Sequence, residues 1–148
     1  MLAFLGFAAC QEKQRRPNRF LVADGYVGWV RIEYGIESAP ALPIEGDFYL
    51  VTFPQSGHLQ TSSNIEHGWA EDEYYYYGVE GRTPLSVTEW GKGGMIWGRS
   101  NGSVQGSGSK AYGYFFIGSE GQFINVGVRL KDETGQPKIG QIAGELDK

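Results

Sequence analysis

Tyr26–Tyr34 reads YVGWVRIEY, and its period decides the fold. Val27, Trp29, Arg31 and Glu33 fall on one side of an extended chain. Tyr26, Gly28, Val30, Ile32 and Tyr34 fall on the other. Such alternation, rich in β-branched and aromatic residues, predicts a strand; a helix would repeat its apolar positions every three or four residues. Asp24-Gly25 just before it is a hairpin turn pair. Phe20–Ala23 is therefore expected to fold back onto it as a short partner strand.

The same reading extends in both directions. Residues 35–46 (GIESAPALPIEG) hold two Pro and two Gly and form a loop. DFYLVTF (Asp47–Phe53) is a strand, and HLQTSS a second, joined to it as a hairpin through Pro54-Gln55-Ser56-Gly57. Tyr74–Tyr77, Gly94–Gly98, Tyr112–Ile117 and Phe123–Leu130 read as further strands. Pro84–Trp90 fits strand or loop, and Gly102–Lys110 is a Gly/Ser loop. Asp132–Gly140 turns, and Gln141–Lys148 is a short strand or a tail. No segment carries an amphipathic helical period. Short strands punctuated by turns predict one all-β domain over residues 19–148, an antiparallel β-sandwich with a barrel as alternative.

Composition sets limits. The chain has 148 residues, with 23 Gly, 8 Phe, 9 Tyr and 4 Trp, enough for one core and cramped for two. Its net charge of −4 argues against nucleic acid, which needs a basic face. One Cys can form neither an internal disulfide nor a Cys-based zinc site.

The N-terminus carries that Cys. MLAFLGFAAC (1–10) is an uncharged apolar run with Ala8 and Ala9 directly before Cys10. It resembles the end of a bacterial lipoprotein signal, in which the Cys is lipidated and becomes the new N-terminus. The resemblance implies a signal remnant at 1–10, a polar tether at 11–18 (QEKQRRPN), and a membrane partner through the lipid. Gln11, in place of the Asp that retains such proteins at the inner membrane, points to the outer one. The alternative is a cytoplasmic β-domain with a frayed apolar start.

A second resemblance covers residues 19–125. RFLVADGYVGWVRIEYG, ALPIEGDFYLVTFPQSGHLQTSS, YYYYG, MIWG and YFFIG together resemble an uncharacterised family of bacterial envelope proteins. The family, which often carries a lipoprotein leader, implies an extracytoplasmic domain and brings no catalytic residue. EGDFYLVTFPQSGHLQTSS also resembles the strand–turn–strand of transthyretin-like sandwiches, which bears on the fold alone.

Several residues invite functional readings. Between Ile32 and Gly81 there is no Lys or Arg, and Glu71-Asp72-Glu73 is the densest acidic point. It lacks the spacing of a Ca²⁺ loop, so no metal or other cofactor is expected. Glu66 and His67 lie just upstream, and with the 71–73 carboxylates could form an acid–base cluster. Gly98–Gly102 (GRSNG) matches G-x-S-x-G, but neither the following GSVQGSGSK nor the upstream His residues suit a nucleophile elbow. Trp69, Tyr74, Tyr76 and Trp90 are candidate faces for a carbohydrate or protein ligand, with core packing as the competing use of the same rings. The leading expectation is a non-catalytic binding or interaction module on the envelope. Its rival is a small extracytoplasmic enzyme centred on His67 and the acidic turn.

Overall fold

A computed structural model describes residues 14–87, 93–104 and 110–142. The fold is a sandwich-like all-β architecture of two sheets. The first sheet contains β1 (Asn18–Ala23), β3 (Ile44–Glu45), β4 (Phe48–Thr52), β6 (Glu73–Gly78) and β7 (Gly81–Pro84), in the order β3-β4-β1-β6-β7. The second contains β2 (Gly28–Glu33), β5 (His58–Gln60), β8 (Ile96–Val104), β9 (Lys110–Ile117) and β10 (Gly140–Gln141). There β9 lies between β2 and β8, while β10 and β5 share the other edge of β2.

Both sheets are mixed rather than purely antiparallel. β1 runs parallel to β4 and to β6, and β2 runs parallel to β5. Two expected hairpins are absent for one shared reason: the chain crosses between sheets where a hairpin was anticipated. After β1 the backbone turns at Asp24-Gly25, with the Tyr26 N–H donating to Ala23 O at 3.0 Å. Gly25 has φ +76° and, among the described residues, no non-Gly residue has positive φ, so the turn cannot be type I′. Turns of the unprimed types splay the flanking strands, and β1 and β2 enter opposite sheets. The Pro54–Gly57 turn does the same after β4. It delivers β5 to β2, where the Arg31 N–H donates to Gly57 O.

The expected strand at Phe123–Leu130 is instead a helix, α1 (Glu120–Asn125), followed by a 3₁₀ turn at Gly127–Arg129. Ser119 caps it. Its Oγ accepts from the Gln122 N–H, and Gln122 Oε1 accepts from the Ser119 N–H at 2.8 Å. This reciprocal box satisfies two of the orphan donors of a helix start. The Gly/Ser loop begins later than expected, because β8 continues through Val104.

Alternation along β2 places apolar side chains on both sides of its sheet. Tyr26, Val30, Ile32 and Tyr34 meet Phe20, Val51, Phe53 and Tyr74 between the sheets. Trp29 emerges on the far side with Trp97 and Phe116, and Phe123 of α1 covers them. The indole N–H groups donate to Gly127 O and Gly118 O. The helix thus forms a third layer over the second sheet.

The outer face of the first sheet is tied by charge. Glu45 accepts from both Arg19 and Arg82, and Glu73 accepts from Arg19. The two guanidiniums, Arg82 first, hold the Glu45 carboxyl down to about 2 from 4.5. A depressed carboxylate contributes stability that is present above its unfolded pKa and lost as pH falls towards the folded one. Wild type is therefore expected to exceed Glu45→Gln in Tm at neutral pH. The two should converge between pH 4.5 and about 2. A pH series of thermal melts checks this, and a constant difference down to the lowest pH would refute it.

Candidate functional site

The two sheets part at one end of the sandwich and leave a cleft of about 230 Å³. Phe20, Ile32 and Phe115 form its apolar interior, and Arg15, Arg16, Glu66, Asp72 and Arg99 are the charged groups of its wall. Each guanidinium is held differently. Arg15 makes a two-pronged bond to Asp72 at 2.8 and 2.7 Å, and the Asn18 N–H donates to the same carboxylate. Arg16 lies over the Tyr49 ring, 5.4 Å from its centroid. Arg99 reaches across from the second sheet, and its Nη1 donates to the Tyr74 hydroxyl at 2.8 Å.

A β-bulge aims Arg99. The β8–β9 register slips between Trp97 and Ser100, and Gly98 adopts φ +61°. A Cβ there would lie 2.8 Å from the Trp29 ring, so only glycine fits. Bulges of this kind bend a strand and redirect the next side chain. The G-x-S-x-G match therefore marks a backbone device rather than a nucleophile.

The phenols of the wall remain protonated donors at neutral pH. Burial pushes Tyr34 up to about 12, with the Asp72 charge adding to it. Burial likewise pushes Tyr74 up to about 12, with Arg99 opposing. The Tyr49 hydroxyl is also raised, by the nearby Glu66 carboxylate first and by burial second. Asp72 is committed to Arg15 and Asn18, and Glu66 is exposed beside Tyr49. What the cleft offers a ligand is chiefly donors, which suits binding better than proton transfer.

Of the sequence-predicted residues, Trp69, Glu71, Asp72, Glu73 and Tyr74 line a second, more open hollow, and Glu66, His67 and Tyr76 do not. Tyr74 is only 4% exposed and sits in the core, with its hydroxyl at the cleft. Tyr76 also turns inward, and its hydroxyl donates to Tyr26 O at 2.6 Å. Neither ring offers the outward face expected of it. The alternation runs in the opposite phase, and Tyr75 faces the surface, bonded to Glu73. Trp69 is exposed and does not line the cleft, and its carbonyl accepts from the Arg15 N–H. Cys10 and Trp90 lie outside the described residues.

The acidic cluster converges only in part: Glu71, Asp72 and Glu73 share one hollow, which Glu66 and His67 do not line. Glu66 and Asp72 share the cleft wall, but His67 is exposed and not part of that wall. Glu71 faces solvent, and Glu73 is occupied by Arg19 and Tyr75. Among the described residues, no three His, Cys, Asp or Glu side chains gather as they would around a metal ion. Arg15, Arg16, Arg99 and Tyr34 were not singled out from sequence. Gly98-Arg99 within a strand was the available signal, since a lone strand glycine often marks a bulge.

Residues 14–123 match the family of unknown function DUF6843. The chain belongs to that family. The matched region of this DUF6843 protein spans β1 to β9 and so includes every element that lines the cleft. A crystal structure described as "Putative Lipoprotein from Bacillus anthracis" is similar to it, with 28% identity and a TM-score of 0.59 over 69% of each chain. Among curated proteins, none matches the DUF6843 chain. Among its described residues, no helix is long and apolar enough to cross a membrane.

Proposed function

We propose that this chain is a lipid-anchored protein of the bacterial cell envelope whose inter-sheet cleft binds a small ligand without transforming it. Cys10, placed after the uncharged run of residues 1–9, supports the anchor. The likeness to a chain described as a lipoprotein supports it further. The choice of outer membrane, argued from Gln11, draws no support from that relative.

The observation that carries the binding reading is the state of the cleft's polar groups. Its buried carboxylate, Asp72, is held by Arg15 and the Asn18 N–H, while guanidinium, phenol and amide groups line an opening between two sheets. Concave sites with an apolar interior and a few placed polar groups are the usual form of ligand sites.

Two experiments test the two halves. Palmitate-analogue labelling with mass spectrometry of the N-terminal peptide is expected to show a modified Cys10. An unmodified Cys10 behind an intact Met1 overturns the anchor. A broad panel of glycans and small soluble metabolites, screened by thermal shift, is expected to contain at least one that raises Tm saturably. A panel with none overturns the binding reading.

A further inference from the structure

We infer that the cleft takes a small ligand bearing an oxyanion, a carboxylate or phosphate group, on a hydroxylated body. The inference rests on the binding reading above and names the ligand class. Three independent features of the wall point to it.

The first is charge. The whole chain carries −4, yet Arg15, Arg16 and Arg99 face only Glu66 and Asp72 in the cleft. Asp72 is taken by Arg15. Arg16 lies over the Tyr49 ring, Arg99 donates to the Tyr74 hydroxyl, and neither meets a carboxylate within salt-bridge distance among the described residues. Arg99 uses one nitrogen on Tyr74, which leaves further N–H donors of its fork for a planar or tetrahedral oxyanion.

The second is an orphan donor. Tyr34 is 7% exposed and lines the cleft. No hydrogen bond reaches its hydroxyl among the described residues. Buried hydroxyls ordinarily have a partner, and leaving one without is costly. A ligand hydroxyl in the cleft supplies one.

The third is shape. Gly113 lets the Asn101 side chain pack against the floor, because a Cβ there would sit 2.6 Å from Asn101 Oδ1 and 3.7 Å from Ile32 Cγ2. Asn64 and Asn101, both in the wall, can donate to or accept from hydroxyls. The volume, about 230 Å³, equals that of roughly eight waters at ~30 Å³ each, room for a single sugar ring.

Calorimetric titration of the full chain with glucuronate, glucose 6-phosphate and neutral glucose tests the class. At least one acid is expected to bind tighter than glucose by about tenfold or more. Arg99→Gln should abolish that preference. Tyr34→Phe should weaken the acid's binding about tenfold while leaving Tm unchanged or higher, an outcome that a purely structural tyrosine would not give. Glucose binding as well as the acids, or a preference intact in Arg99→Gln, overturns the anion and leaves the binding reading in place. No binding by all three up to millimolar concentration overturns the inference, and the broad panel then decides the wider reading. Competition with phosphatidylglycerol against phosphatidylcholine vesicles separates the sources. Displacement of the acid by the former alone assigns a lipid headgroup, and no displacement assigns a free solute.

Discussion

Phe115→Ala is expected to lower stability by about 3–5 kcal/mol, seen as a lower urea midpoint at unchanged slope. Phe115 stands on β9 of the second sheet and is 5% exposed. Its ring meets Phe20, Phe53 and Tyr74, which the first sheet carries, edge to face at 5.2, 5.7 and 5.2 Å. Truncation removes the one ring common to all three contacts and leaves a cavity walled by rigid neighbours. Aromatic pairs of this geometry contribute about 0.5–1.5 kcal/mol beyond area burial. Domains of this size are stable by only about 5–15 kcal/mol, so the variant would be marginal at physiological temperature. Phe115→Leu keeps most of the volume and should cost less. A loss under about 1 kcal/mol on truncation would mean that β9 is not clamped in this way.

Asp72→Ala should be the second most damaging change, at about 2–4 kcal/mol. The Asp72 side chain is 7% exposed and that of Arg15 15%, so both ions have given up most of their water. Removing the carboxylate strands a guanidinium that water reaches poorly. It also releases the Asn18 N–H at the start of β1. The loss should be local as well as global. Hydrogen exchange should speed up at Asn18 and at Arg15, whose N–H donates to Trp69 O. Asp72→Leu with Arg15→Met is expected to recover much of the loss, because neither charge is then stranded. Equal stability of Asp72→Ala and wild type would show the pair to be solvated.

These predictions show how unevenly the chain could be read beforehand. YVGWVRIEY, DFYLVTF, YYYY and YGYFFI declared themselves as strands, because alternation is a local property that any sheet must satisfy. Pairing was not legible. Asp-Gly serves both the turns that close a hairpin and those that splay strands, and the difference lies in the φ of Asp24. The phase of the tyrosine run was equally hidden. Four like residues in a row look the same from either face, and the β1 register, Phe20 against Tyr74, chose which pair turns inward. The helix was legible in principle: Ser119 and Gln122 spell a capping box. Its six residues are too few for a helical period to stand out from the strand-like FINVGV.

The candidate site was the least legible part. Its groups come from Arg15, Tyr34, Asp72, Tyr74 and Arg99, which no short motif could connect. The sequence by itself determined the all-β class, the main strands and the acidic balance, because these follow from local period, turn chemistry and charge count. Only the tertiary structure decided which strands are parallel, which tyrosines are core, and that arginines collect at a cleft in an acidic protein. Those depend on contacts between residues tens of positions apart, where packing two sheets face to face selects among arrangements that are locally equivalent.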